Sequence, residues 1–412
     1  MRKAVIASLL TSALAVSASA QSPIFPTRSS ENATYAGYDA PTKVAGDTIE
    51  ELTAERLLLA PKFWVSGEYQ ILWSQNANVP SLIERVPAEF IGTGGNTFPA
   101  ENKQTLFPQR RDQRYDNINS YAVSGGVRIQ PQLALDGNFF MTEKVKDGAS
   151  AGGSGLPGTD GVARGYIQAG SGNNISLFVA QPGQYSGSVA VNSNLRAWGA
   201  DSNLRWDSYH FFVDRTELLV GVRYFDLAEQ MAINDSSTFA DGSRLAVHDD
   251  FQTRNKFYGG QVGFHSRIYG TVWSLDFINK YAIGGVQQEV RAIGSNSIFS
   301  PSGVEDREVG GLYARGSNLG SFSRNKFAVA AESSLLVGYN VTQNVRLHVG
   351  YHASWISSVI RAPEVIDPVV NDTGVRYITQ QSQSIANSPE FKWNRASDFF
   401  LQGISFGVTA GY

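Results

Sequence analysis

The chain has 412 residues, with 34 Lys and Arg against 37 Asp and Glu and a formal net charge of −3. That balance excludes a nucleic-acid partner, which would need a basic excess to neutralise phosphates. Zero cysteines exclude a disulfide framework and any thiolate metal centre, while 41 glycines and 11% aromatic residues suit many turns, glycine-tolerant strands and rings at some interface.

In chain order, the first element is Met1-Arg2-Lys3 followed by the uncharged run AVIASLLTSALAVSA and Ala18-Ser19-Ala20. A basic start, a short apolar run and a small-x-small site predict a secretory signal peptide over residues 1–20, cut between Ala20 and Gln21. The run falls short of the ~20 residues of a spanning helix. No cysteine follows it to carry a lipid anchor. Residues 21–60 read as a periplasmic segment. Within it Thr48 and Glu51 stand at capping-box spacing, Ile49, Leu52 and Leu59 give one apolar face, and Pro61 ends the helix. This predicts a short helix that packs below the next domain or plugs it.

From residue 61 the period changes to two. Phe63, Val65, Tyr69, Ile71 and Trp73 alternate with Ser66, Glu68, Gln70 and Ser74. The pattern returns near Tyr121–Ile129, Leu133–Met141, Trp198–Trp206, Leu218–Tyr224, Tyr258–Phe264, Trp273–Ile283, Phe327–Tyr339 and Val345–Trp355. It closes with Ile404, Phe406, Val408, Ala410 and Tyr412 alternating with Ser405, Gly407, Thr409 and Gly411. About ten strands of ~9–11 residues, with 12 left open, would each cross a bilayer.

Short links at Gln130-Pro131-Gln132, Asp207-Ser208, Ser266 to Gly270 and Val341 to Asn344 alternate with long ones at 75–120, 143–190, 226–250, 285–325 and 357–397. Short periplasmic turns and long extracellular loops are the signature of an outer-membrane barrel. Aromatics fall at both strand ends: Phe63, Trp206, Tyr269, Trp273, Tyr339 and Tyr412 at the short turns, and Trp73, Tyr121, Trp198, Tyr224, Tyr258, Tyr281 and Trp355 at the long loops. These are two interfacial girdles. The expected architecture over 61–412 is therefore an all-β, transmembrane, antiparallel up-and-down barrel. Its last strand, with Phe406, Val408 and Tyr412 facing lipid, pairs with the first and resembles the insertion signal read by barrel assembly machinery.

Several stretches also resemble a known family. VGVRYFDLAEQMAI (220–233), DDFQTRNKFYGGQVGF (249–264), WSLDFINKYAIGGVQQEV (273–290), the run 327–371 and SDFFLQGISFG (397–407) are similar to the beta-barrel porin family 7, with FWVSGEYQILW (63–73) fitting its opening strand. The resemblance covers most of 60–412 and weakens in loops 75–117 and 143–190. It implies an outer-membrane barrel of planctomycete type, called a porin largely by analogy, and brings no functional residues with it.

Parity places Glu68, Asp136, Asp201, Asp276 and Glu332 inward, opposed by Arg128, Arg205, Arg223, Lys280 and Arg346, with His348 and His352 as interior hydrogen-bonders. A barrel of about ten strands is nearly filled by its own side chains. Two readings stay open: passive passage of small hydrophilic solutes along these charges, or a closed barrel with a structural, adhesive or recognition role for its loops. No enzyme is expected. The His248-Asp249-Asp250 cluster at an outer strand end reads as a solvated polar loop, with surface proteolysis as its sharper alternative. Asp207-Ser208-Tyr209-His210 falls in a periplasmic turn. GGSGLPGTDG (152–161) lacks the context of a phosphate loop and reads as a flexible surface loop. Asp367, Asn371 and Asp372 match no calcium loop. Expected partners are membrane lipids, the assembly machinery and solutes if a pore exists, with no cofactor or metal.

Overall fold

The computed structural model describes residues 61–91, 102–108, 112–208, 215–371, 391, 393 and 397–412. The signal peptide with Ala20 and Gln21, the helix near Thr48, the pair Tyr209-His210 and Asp372 lie outside these residues.

Ten strands form the barrel: β1 (Phe63–Ser74), β2 (Ile118–Gln130), β3 (Leu133–Thr142), β4 (Tyr185–Ser208) and β5 (Arg215–Phe239). Then come β6 (Arg244–Tyr269), β7 (Trp273–Phe299), β8 (Gly320–Asn340), β9 (Val345–Val359) and β10 (Ser397–Gly411). Each pairs antiparallel with its sequence neighbour, and β10 pairs back onto β1 from Trp64↔Gly411 to Ser74↔Leu401. Closure removes the unpaired edge that lipid could not satisfy. Phe63 and Tyr412 complete the seam with reciprocal backbone bonds of 2.9 and 3.0 Å and stacked rings at 5.4 Å.

The wall between the girdles turns its apolar side chains outward. Val222 is 64% and Ile283 63% exposed, and Phe406, Val408 and Tyr412 point the same way. In water such a surface would aggregate; against acyl chains it is the stable arrangement. Rings pack along the outer interface, Trp198 on Tyr224 at 4.9 Å and Tyr69 on Tyr121 at 5.7 Å.

Four strands are far longer than a membrane requires. β4 to β7 have 24, 25, 26 and 27 residues, and at about 3.3 Å per residue they rise well past the outer girdle. The link expected over 226–250 is thus mostly strand, reduced to a turn after Phe239, and that over 285–325 is ladder as far as Phe299. Beyond the membrane these strands curl around a second, smaller sheet built from Ile83–Val86, Gln104–Phe107, Gly161–Gln168, Asn174–Ala180 and Val369–Val370. The glycine-rich run 152–161 ends one strand, Val145–Gly153, and begins the next at Gly161, with positive φ at Gly155 and Gly158. An apolar core of Leu82, Ile83, Val162, Met231, Ile233, Phe251 and Leu312 joins both layers into a folded extracellular head.

Candidate functional site: the barrel lumen

The inner face has two zones. The lower zone, from the periplasmic turns to the outer girdle, is polar and surrounds a cavity of about 930 Å³ that reaches the mouth at Pro61, Gly270, Thr342 and Tyr412. Glu68, Arg128, Asp136, Arg205, Asp276, Lys280, Glu332 and Arg346 line it, and Asp201 and Arg223 stand buried behind their partners on the same inner face.

Near the mouth one belt of ion pairs draws on seven strands. Asp207 binds Arg128 at 2.8 Å and Arg215 at 3.0 Å, and Arg215 reaches Glu217 at 2.8 Å. Glu217 also holds Arg205, which turns to Asp136 at 3.1 Å. His265 lies 3.4 Å from Glu217 and 2.6 Å from Asp276, where Arg267 and Arg346 converge. Above it Lys280 links Asp201 at 3.1 Å to Glu332 at 3.6 Å, and Arg223 meets Glu332 at 2.5 Å. On the opposite wall Glu68 bridges His348 and His352, each at 3.1 Å. His352 in turn meets Ser334 at 2.7 Å and Ser405 at 2.8 Å. Cations and carboxylates are interleaved, so the lumen carries no strong single-sign field to select an ion.

Asp207, Arg215, Glu217, His265 and Arg267 join the lumen charges although they fall outside the alternating stretches of the sequence. Asp207, expected in a turn, is the last inward residue of β4 and 3% exposed. Extending the period-two parity of Leu218–Tyr224 and Tyr258–Phe264 by one to three residues reaches the others.

The upper zone is apolar. Leu72, Ile118, Leu195, Phe225, Phe257, Ala282, Ala330, Ile356 and Phe399, with Phe140 beside them, form one buried cluster. Every strand of the ring contributes to it. The Phe225 ring lies 6.1 Å from Phe140 and 6.4 Å from Phe399. Strands β5 and β10 are diametrically opposed in a ring of ten, so the second contact spans the lumen. Five cluster residues sit directly beside a girdle residue on their strand (Leu72 by Trp73, Phe225 by Tyr224, Phe257 by Tyr258, Ala282 by Tyr281, Ile356 by Trp355), so the layer lies at the outer interface. A strap over the layer adds a second closure. Arg361, 1% exposed, makes two 2.6 Å bonds to Glu229, and the Asn255 amide bonds Ile360 on both its carbonyl and its N–H. The lining of the cavity rises as far as Leu72, Phe140 and Leu401 and includes neither Phe225 and Phe399 nor the strap residues.

The outer-rim cluster does not assemble. Asp249 points inward, fully buried, and accepts Arg164 at 2.6 Å and three backbone N–H groups from Leu312, Tyr313 and Ala314. A Cβ at Gly311 would collide with that carboxylate. His248 lies on the other face against Asn234 at 2.7 Å, and Asp250 bonds Gln230 and Gln252. Asp367 is buried and accepts the Val369 N–H at 3.3 Å. No group of three or more metal-ligating side chains occurs among the described residues.

Among solved structures the chain resembles the Escherichia coli outer membrane protease OmpT at 10% identity and TM-score 0.39, covering 85% of this chain and 96% of that one. It also resembles the P. putida toluene transporter TodX at 5% identity and TM-score 0.17, with 87% and 92% covered. A Pseudomonas aeruginosa FadL homologue aligns at 7% identity and TM-score 0.21, with 85% and 89% covered. These likenesses are too remote to carry an argument about activity. No curated protein matches the chain. The family described as "Putative beta barrel porin-7" matches residues 64–412. With that match over most of its length and a closed, lipid-facing ring of strands, the chain belongs to this family and is a β-barrel of the bacterial outer membrane.

Proposed function

We propose that this barrel works as a sealed outer-membrane platform for its extracellular head, without enzymatic activity, and that passive diffusion of hydrophilic solutes is not its resting function. The observation that carries this reading is the contact of Phe225 with Phe399 across the lumen, inside an apolar layer fed by all ten strands. An ion entering that layer would exchange its hydration for apolar side chains, among which the Tyr115 hydroxyl is already taken by Ser193. The head, with its own core, is then the surface on which a structural, adhesive or recognition role rests.

A gated path is the second reading, favoured by the polar vestibule of about 930 Å³ below the layer. Single-channel recording of the refolded full chain in a planar bilayer separates the two. The sealed platform is expected to insert silently at ordinary voltages. Steady ohmic steps whose ion selectivity changes in Arg205→Ala or Glu332→Ala would establish a pore and overturn the platform reading.

A further inference from the structure

Just above the outer girdle the outward face of the wall changes from apolar to basic, and it does so on one side only. On β10, β1, β2 and the end of β3 the outward residues at this level are Gln402, Trp73, Asn119 and Glu143. On β4 to β7 they include Arg196, Lys256, Arg254 and Arg291. The ladder brings these four together. Arg196 and Arg254 both pair with Ala228 of β5, so at about 4.8 Å per strand their backbones stand about 10 Å apart. Lys256 is two residues from Arg254 on the same face, and Arg291 pairs with Gln252 one step higher.

Two carboxylates lie among these cations and each fixes one of them, while a third, Glu143, flanks Arg196 at the end of β3 and is taken up by Asn119 and Tyr121. Asp226, 2% exposed, takes Arg254 at 3.0 and 2.6 Å and accepts the Tyr224 hydroxyl at 3.2 Å. The Arg254 guanidinium is thereby held against the wall beside a girdle ring, with its side chain still 49% exposed. Glu289 meets Lys256 at 2.8 Å. Arg196 and Arg291 are exposed and have no acidic partner among the described residues. Four cations against three carboxylates, with Glu143 at the edge included, leave a net positive surface directly above Trp198, Tyr224 and Tyr258, whose rings mark the headgroup level.

A ligand of this surface must therefore lie in the plane of the outer leaflet and carry negative charge. Guanidinium groups bind phosphate through paired N–H bonds, and each basic side chain near a membrane surface adds roughly 1 kcal/mol of attraction to anionic lipid. We propose that Arg196, Arg254, Lys256 and Arg291 form a docking surface for the phosphate groups of an anionic outer-leaflet lipid. This inference is independent of whether the lumen conducts.

The test uses the full chain purified in neutral detergent, melted with added diphosphoryl lipid A, phosphatidylcholine or sodium phosphate. Lipid A is expected to raise the melting temperature by several degrees and to remain bound in native mass spectrometry, while phosphatidylcholine and free phosphate do neither. Arg196→Gln with Arg291→Gln breaks no ion pair seen here, so it should fold normally and bind lipid A about tenfold or more weakly. Arg85→Gln with Arg307→Gln, elsewhere on the head, should leave binding unchanged. Equal shifts from phosphatidylcholine, no shift from any lipid, full binding by the first double variant, or equal loss in the second would each overturn the proposal.

Discussion

Asp235 and Asp249 share one guanidinium in the core of the head. Arg164, fully buried, meets Asp235 at 2.7 Å and Asp249 at 2.6 Å. One cation serves two carboxylates, and the two differ in what else they accept. Asp249 has three N–H donors besides Arg164, whereas Asp235 is given Arg164 alone. Burial therefore pushes Asp235 up from 3.8 to about 6, with Arg164 opposing the shift and Asp249 adding to it. Ten residues past Phe225 on β5, Asp235 lies well outside the membrane. Its folded state holds the proton more tightly than the unfolded chain, so the folded form binds more protons between those two values. Stability then falls as pH rises through that window and returns on acidification. The expected difference across the whole window is of order 3 kcal/mol. Hydrogen exchange at the Tyr313 and Ala314 amides, run at pH 5 and pH 7.5 on the intact barrel, should show slower opening at the lower pH. D235N should lose that contrast, because an amide still accepts from Arg164 but cannot titrate; an unchanged contrast would assign the effect to another group.

At the scale of the element, the membrane half of each strand was legible and the upper half of four was not. Between Leu218 and Tyr224 the apolar side faces lipid and the small or charged side faces the lumen, which is the alternation that marks a spanning strand. Beyond Tyr224 the period remains two but its sense inverts. Leu227, Met231 and Ile233 now face inward to a dry core, while Asp226, Ala228 and Gln230 face water. A search for lipid-facing alternation ends where the solvent outside changes from lipid to water, although the ladder continues for 15 more residues to Phe239. The lumen shows the same division. Inward charges inside recognised strands could be read from parity, but the strap could not, since Arg361 and Glu229 are 132 residues apart and nothing local announces their pairing. That pair offers a test of what the strap contributes. Arg361→Ala leaves Glu229 buried and uncompensated, and should cost about 3–5 kcal/mol. Arg361→Met combined with Glu229→Gln removes both charges and should recover most of it. Denaturant midpoints of the refolded variants measure the difference, and equal losses in the two would show that packing around Ile360 and Ala362, with no part from the ion pair, sets the strap's stability.

For the whole molecule, the two zones of the interior give the barrel a direction. The polar vestibule communicates with the periplasmic mouth, while the apolar layer, the strap and the head core lie in series between it and the cell surface. Closures in series differ from a single gate in one measurable respect: removing one leaves the other in place. The absence of cysteine makes this testable, since any introduced thiol is unique in the chain. Ser124→Cys places a thiol on the vestibule wall below the layer, and Ser302→Cys places one on an exposed turn of the head. A bulky, membrane-impermeant maleimide added to intact cells should label Cys at 302 and spare Cys at 124, and permeabilising the outer membrane should expose both. Adding Phe225→Ala and Phe399→Ala to Ser124→Cys weakens the apolar layer but leaves the strap, so the thiol should stay protected from outside. Labelling of Cys at 124 in intact cells without those changes would mean that a path runs through the head, and the platform would then be a channel. Labelling only after the two phenylalanines are truncated would reduce the series to a single gate and make the apolar layer the element that decides whether this barrel conducts.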